Sequence, residues 1–279
     1  MNPSPYTRER DVALAAAGAA AAFIRSRAGQ VEASAIRDKG VHDPVTFVDE
    51  EAQRIIAEHL LAAFPGDVML GEEGTEGEVE AAPEGRRWIV DPLDGTTNFT
   101  RGIPPWAVSI ALQEGPNLAV AVVLDGSYDE RFVAVRGEGL TVNGRPARVA
   151  ETDALDAALL ATGYPFRDYR YVDGYLETFE RLIRATRGVR RHGSAAMDLA
   201  WVACGRFDGF FEGGLAPWDV AAGVLLVREG GGCVTGLSAG DDPVFSGGLV
   251  ASNGRLHTAL AEACGPLAHA YAARESVAP

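Results

Sequence analysis

The sequence predicts an α/β protein made of layered sheets and helices. Residues 106–112, 119–124 and 131–135 alternate or run apolar in strand-length blocks. From residue 159 onward, strand-like and helix-like segments alternate. The 279 residues can bury a large core, as one domain or as two closely packed halves. Sheets of this kind bury their apolar faces under helices, which gives a layered architecture.

Residues 6–28 are an Ala-rich helix. Arg8 and Arg10 before an apolar run suggest a weak signal peptide, but Asp11 interrupts the run and alanine is only mildly apolar, so it is read as the first helix. Residues 36–44 are a polar, turn-forming loop carrying Lys39, the chain's single lysine among many arginines. A compact ammonium is not interchangeable with a planar fork at a tight site, though chance survival explains a lone lysine equally well. Thr46 opens a helix with Ile55, Ile56, Leu60, Leu61 and Phe64 on one face, and Asp49 completes a capping box. Residues 68–70 form a strand ending in Gly71-Glu72-Glu73-Gly74, where the glycines let acids approach a ligand closely. Residues 75–85 are an acidic surface loop.

Trp88-Ile89-Val90 closes a buried strand. Pro92 stops its ladder for want of an N–H, and Asp94-Gly95-Thr96-Thr97 starts a helix. Asn143-Gly144 signals a hairpin. Then follow a strand at 159–162, helices at 171–186 and 195–204, and a strand at 207–211. A helix at 218–228, a strand at 249–252 and a last helix at 255–271 complete the chain.

A net charge of −14 disfavours nucleic acid or an anionic membrane as the main partner. Cys204, Cys233 and Cys264 are odd in number and lack metal-ligand spacing, which suits three ordinary thiols in a reducing cytoplasm. No apolar run is long enough to span a bilayer, so a soluble cytoplasmic protein is expected.

The chemistry gathers at Asp91-Pro92-Leu93-Asp94-Gly95-Thr96. Two acids three residues apart, with the Leu93 carbonyl between them, offer oxygen donors suited to a hard cation such as Mg²⁺. The Gly95 and Thr96 amides, at a helix start, can seat a phosphate. Taken alone, an aspartate turn and a helix cap explain the same residues. A phosphate ester meeting so acidic a chain needs local cations to reverse the field, and bound Mg²⁺ would do so.

The string from Asp91 through Asn98 to Phe99 resembles the central motif of the inositol monophosphatase family. Further matches are Asp43-Pro44-Val45-Thr46-Phe47-Val48-Asp49 and the segment from Glu212 through Trp218-Asp219 to Gly223, and the likeness extends from about Lys39 to Asn253. It implies the α-β-α-β-α sandwich of the sugar phosphatases. Residues 1–150 would then carry most metal ligands, and residues 151–279 would complete the metal site and the sugar pocket. It also implies two Mg²⁺ per subunit, with room for a third near Glu72. Glu72, Asp91 and the Leu93 carbonyl would hold the first, and Asp91, Asp94 and Asp219 the second. Asp49, Thr96 and Glu72 carry the catalysis in this reading, Thr96 taking a proton from the attacking water under the orientation of Asp49. For Asp49 the capping role and the catalytic role both stand.

By the same resemblance, Asp94 and the Gly95 and Thr96 amides meet the phosphate, Gly193-Ser194-Ala195 line the sugar pocket, and Glu212 meets a ring hydroxyl. A solvated strand-end acid is the other reading of Glu212. His192 stands where the family more often has an aliphatic residue. The implied activity is Mg²⁺-dependent, lithium-sensitive hydrolysis of myo-inositol 1-phosphate by a homodimer. Other branches act on 3′-phosphoadenosine 5′-phosphate, fructose 1,6-bisphosphate or histidinol phosphate, and Thr97-Asn98 points to the inositol branch. A non-catalytic binding or regulatory protein on the same fold is the alternative of another class. The presence of every matched acid weighs against it. No Gly-x-Ser-x-Gly elbow or Cys/His motif offers a different nucleophile.

Overall fold

A computed structural model describes residues 5–30, 37–40, 43–74 and 85–274, with the backbone alone for 37–40 and 43–45. The chain opens with α1 (Thr7–Arg27), a ribbon of β1 (Arg37–Gly40) and β2 (Asp43–Val45), and α2 (Phe47–Ala63). A seven-stranded sheet follows in the order β3 (Val68–Gly71), β4 (Arg86–Asp94), β5 (Ala107–Glu114), β6 (Asn117–Asp125), β7 (Glu130–Val135), β8 (Gly139–Val142) and β9 (Arg145–Ala147). β3 is parallel to β4, and the remaining pairs are antiparallel. The short helix α3 (Thr96–Arg101) leaves the end of β4.

A second sheet has five strands, ordered β11 (Gly188–Arg190), β10 (Leu159–Thr162), β12 (Gly209–Gly213), β14 (Gly248–Ser252) and β13 (Cys233–Gly236). Its helices are α4 (Val172–Ala185), α5 (Ala195–Ala203), α6 (Pro217–Glu229), α7 (His257–Ala263) and α8 (Gly265–Ala273).

Strand parity sorts these elements into layers, because successive side chains point to opposite faces of a sheet. Trp88, Val90, Val108, Ile110, Val122 and Leu124 pack outward against Ala13, Ala17, Ala20, Ile24, Ile56 and Leu60 of α1 and α2. Their neighbours Ile89, Ala107, Ala111, Ala121 and Val123 pack inward, with Leu199 of α5 and Val224 and Leu225 of α6. Across that layer stand Ala161, Phe210 and Ala251 of the second sheet. Leu160, Phe211 and Val250 face the other way, onto Tyr175, Leu182, Leu260 and Leu267 of α4, α7 and α8. The five layers are therefore α1 and α2, the large sheet, α5 and α6, the small sheet, and α4 with α7 and α8, as the fold class required. The small residues of α1 let it lie close to the sheet, since Ala13, Ala16, Ala17, Ala20 and Ala21 are all fully buried.

Several elements depart from expectation. The polar stretch 36–44 contains the β1–β2 ribbon rather than only a loop, and Lys39 lies on it with its side chain outside what is described. Pro92 does not end its strand. β4 runs on to Asp94, and the register jumps from Asp91 opposite Ser109 to Asp94 opposite Ala107, a bulge that accommodates a residue without an N–H. β12 lies at Gly209–Gly213, about two residues beyond the expected strand. The last helix is two, α7 and α8, broken where Gly265-Pro266 begins a new turn. β11 and β13 are short edge strands with no periodic signal of their own. Of the acidic loop at 75–85, residues 75–84 lie outside the described set. Among the described residues no helix is long and apolar enough to cross a membrane.

Candidate active site

Parity puts Asp91 on the inward face of β4, the face presented by Ile89, and aims it at the layer that holds α6. The bulge brings Asp94 to the same edge. Asp219 comes from the first turn of α6, whose Ala216 N–H donates to its Oδ2 at 2.7 Å. Asp219 is thus not the cap itself but the acid three residues inside it. One carboxylate oxygen from each of Asp91, Asp94 and Asp219 lies within 4.8 Å of the others. They border a cleft of about 480 Å³ that Glu72, Leu93, Thr96, Ser194 and Glu212 also line.

Each acid is held by donors. The Leu93 N–H donates to Asp91 Oδ1 at 2.9 Å. Asp94 Oδ2 accepts from Ser194 Oγ at 2.6 Å and from the Ala196 N–H at 2.7 Å. Asp94 is therefore a residue of the large sheet oriented by the start of α5, and it does not cap α3. That helix starts at Gly95, in the left-handed region at φ 92°, where a Cβ would also stand 3.0 Å from the Pro105 carbonyl oxygen.

Asp49 uses both carboxylate oxygens. Its Oδ2 accepts from Thr46 N (2.9 Å) and Thr46 Oγ1 (2.7 Å), closing the capping box of α2. Its Oδ1 accepts from the Thr96 hydroxyl at 2.9 Å. That hydroxyl also lies 3.0 Å from the Leu93 carbonyl oxygen. A single hydroxyl hydrogen serves one of these acceptors fully, which leaves a lone pair of Thr96 toward the cleft.

Burying like charges together is costly. Two carboxylates about 4 Å apart repel by about 1 kcal/mol in water and several times more where water is excluded. Burial first, then the charges of Glu72, Asp94 and Asp219, hold the Asp91 carboxyl well above its ordinary range. Burial and the charge of Asp219 push Asp94 up to about 7, against the donors from Ser194 and Ala196. Asp49 is also raised, chiefly by burial and against three hydrogen bonds. The flanking core keeps the strand end in place. Trp88, Val90 and Leu93 are essentially fully buried, and each such side chain contributes about 1.5–3 kcal/mol. This donor set is all oxygen, anionic and convergent, so it fits a hard divalent cation such as Mg²⁺.

Glu72 lines the cleft and acts electrostatically on Asp91, but the three-acid group is complete without it. Its backbone is placed by its own N–H to the Val90 carbonyl (3.1 Å), and the next residue, Glu73, by Gln53. The Gln53 amide exchanges two hydrogen bonds with the backbone of Glu73 at 2.7 and 2.9 Å, a contact not foreseen. Gly71 is required beneath it, since a Cβ there would stand 2.3 Å from Gln53 Oε1.

At the other end of the cleft lies Glu212. Its carboxylate has no hydrogen-bond partner among the described residues and rests on Gly163, where a Cβ would be 1.8 Å from Oε1. Burial first, then Asp198 and Asp219, raise its carboxyl well above the usual range. Gly193 and Ala195 line the cleft with Ser194. His192 points away from it, with Nδ1 2.8 Å from Asp198 Oδ1 and its ring against Trp201 and Phe207. Burial pushes Asp198 up to about 6. A lone acid inside the apolar run Ala195-Ala196-Met197-Asp198-Leu199-Ala200 was the sequence signal for this pair. Asn98 Nδ2 joins the two ends, donating to the Pro105 carbonyl (2.8 Å) and the His192 carbonyl (2.7 Å).

The sequence profile of the inositol monophosphatase family matches residues 6–267. The chain belongs to the inositol monophosphatase family. It is 43% identical over 254 residues to the Nus factor SuhB of Pseudomonas aeruginosa, covering 90% of this chain and 93% of that protein. To the inositol-1-monophosphatase of Rhizobium meliloti it is 44% identical over 234 residues, covering 84% and 87%. Among solved structures, the extragenic suppressor protein suhB of Bartonella henselae superposes with a TM-score of 0.87 at 38% identity, covering 92% of this chain and 98% of that one. An IMPase from Thermotoga maritima gives 0.84 at 32%, covering 95% and 100%. Membership in the inositol monophosphatase family supports a phosphatase acting on small-molecule phosphates.

Proposed function

We propose that the protein hydrolyses inositol monophosphate, myo-inositol 1-phosphate first, to inositol and phosphate with Mg²⁺. The convergence of Asp91, Asp94 and Asp219 beside the Asp49–Thr96 pair carries this reading. Those three acids, with Glu72 and the Leu93 carbonyl on the same cleft, would hold the metal, two ions per subunit with room for a third. Bound there, Mg²⁺ supplies positive charge for the phosphate and lowers the pKa of water.

The chain's own residues do the rest. Thr96 takes a proton from the attacking water as it passes its own proton along the 2.9 Å contact to Asp49, so that the hydroxyl is restored. Asp49 can take it because burial has raised its affinity for protons. The Gly95 and Thr96 amides hold phosphate oxygens. Ser194 and Ala196 keep Asp94 aimed into the cleft, and Glu212 offers its unpartnered carboxyl to a ring hydroxyl. Gly193 and Ala195 supply the pocket wall. The resemblance implies a homodimer, which light scattering of the purified chain tests, and the three cysteines, odd in number and without metal-ligand spacing, favour a cytoplasmic setting.

A second reading comes from the name Nus factor carried by the Pseudomonas aeruginosa relative. On it, the chain would serve as a Nus factor, and the non-catalytic form of that reading is the rival to hydrolysis. A cluster of buried acids serves no purpose in that role, and the net charge of −14 opposes nucleic acid as a partner. Phosphate release from a panel of inositol, nucleotide, sugar and histidinol phosphates, with and without Mg²⁺, separates the readings. Release from inositol 1-phosphate only with Mg²⁺, suppressed by Li⁺, is expected. No release from any ester overturns the proposal.

A further inference from the structure

Two residues of α2 reach the edge of the cleft from the same helix face. Asp49 and Gln53 stand four positions apart, about one turn, so their side chains leave the helix side by side. Asp49 takes the Thr96 hydroxyl just past the end of β4. Gln53 takes the turn just past the end of β3, through two hydrogen bonds to the backbone of Glu73. One helix turn thus registers the ends of two neighbouring strands against each other.

The Gln53 contact suits an amide and no other side chain of that length. Its Nε2 donates to the Glu73 carbonyl at 2.7 Å, and its Oε1 accepts from the Glu73 N–H at 2.9 Å. An amide alone offers a donor and an acceptor together, as a neighbouring strand would; a carboxylate would set oxygen against the carbonyl. β3 is the edge strand of the large sheet, so the amide continues on its outer side the pairing that β4 supplies on the inner side. Gly71 makes room for it, because a Cβ there would stand 2.3 Å from Oε1, 2.6 Å from Cδ and 2.9 Å from Nε2 of Gln53.

Glu72 is caught between these holds. Its own N–H is on the Val90 carbonyl, and both backbone polar groups of the following residue are on Gln53. Its side chain borders the cleft, yet it stands outside the close group of Asp91, Asp94 and Asp219. A carboxylate that joins a metal from the rim of such a group depends on its backbone to bring it into range, and partners that orient a ligand weigh heavily on metal affinity.

We propose that Gln53 is a positioning residue for a metal ion held through Glu72: by fixing the Glu73 peptide groups it sets how tightly that ion binds, while the ion on Asp91, Asp94 and Asp219 is indifferent to it. This rests on the metal-binding part of the reading above and not on turnover. The rival is a clamp that only fastens β3 to α2.

The test counts free Mn²⁺ by its EPR signal in titrations without substrate, since Mn²⁺ takes the same oxygen donors as Mg²⁺. Gln53→Met keeps the length and helix preference of the side chain and removes both hydrogen bonds. Gly71→Ala displaces the amide from the other side; the atoms it meets are the free end of a flexible chain, so it should fold even if Gln53→Met does not. The wild-type protein should show a tighter and a weaker event, and Glu72→Gln should abolish the weaker one. Both positioning variants should weaken that event by about tenfold and leave the tighter one within about twofold. In the Glu72→Gln background, Gln53→Met should change nothing more. The Mg²⁺ needed for half-maximal phosphate release should rise by the same factor, with kcat at saturating Mg²⁺ within about threefold of wild type. Unchanged Mn²⁺ binding in the folded variants, equal weakening of both events, or a further loss in the Glu72→Gln background would each overturn the proposal. So would a wild-type protein whose Mn²⁺ binding ignores Glu72→Gln. If Mn²⁺ binds as expected but no ester is cleaved, the hydrolytic reading fails and the role of Gln53 stands on the titrations.

Discussion

The two ends of the cleft are built in opposite ways. At the Asp91 end, Asp91, Asp94 and Asp219 each have assigned donors, and the donors are largely backbone or buried groups: the Leu93 and Ala196 amides, the Ser194 hydroxyl and the Ala216 amide. At the Glu212 end, the carboxyl lacks a hydrogen-bond partner among the described residues, and Arg191 lies against the ring faces of Tyr164 and Phe166. The first arrangement fixes geometry and accumulates charge that a metal must relieve. The second leaves hydrogen-bonding capacity open for a ligand. Chemistry and recognition thus occupy different materials within one cavity, and substitutions should separate them.

The largest separation is expected from Asp91→Asn. It removes a charge but little volume, so the fold should survive while phosphate release falls on the order of 10²–10³-fold or more on every substrate. Normal turnover by a folded variant would remove Asp91 from the metal site. Ser194→Ala should also act on all substrates, by about tenfold, because a charge-assisted hydrogen bond to Asp94 is lost. As Ser194 caps α5, unfolding should also become easier by about 0.5–2 kcal/mol, measured by urea titration. A stability loss without an activity loss would reduce Ser194 to a cap.

Glu212→Gln should break the symmetry. It should lower kcat/KM for inositol 1-phosphate by about tenfold while a small aryl phosphate is cleaved almost as before. Equal losses on both would move Glu212 to the chemical end. The smallest effect is a pH slope. In the metal-free protein the Asp94 carboxyl, at about 7 against an ordinary 3.8, binds more protons folded than unfolded between those values. Stability should therefore fall as pH rises through that window. Thermal melts from pH 4 to 8 read it, and saturating Mg²⁺ should flatten the slope. A rise in metal-free stability over the same range would contradict the burial argument.

Much of this was legible in the chain. Strand parity and helix periodicity located the main layers, and the spacing of Asp91 and Asp94 marked two of the three acids that converge. The illegible parts share a cause. β11 and β13 are short edge strands whose pairing depends on a neighbour, and β1 and β2 pair with each other in a ribbon apart from both sheets. The bulge after Asp91 answers a local conflict between Pro92 and a ladder that continues past it, which propensity resolved the wrong way. The Gly265-Pro266 break was written in the sequence, but helical periodicity over 255–271 outweighed it. The bonds from Ser194 and Ala196 to Asp94 cross about a hundred residues of chain, and no local pattern encodes a contact of that span.

That span also orders the birth of the site. A ribosome has delivered the whole signature string by Phe99, yet the donors that aim Asp94 wait for residues 194 and 196, and the third carboxylate for residue 219. A nascent chain released or stalled before then carries the recognisable motif without a place to hold a divalent ion. A metal site built on these three acids would be complete only once both sheets exist.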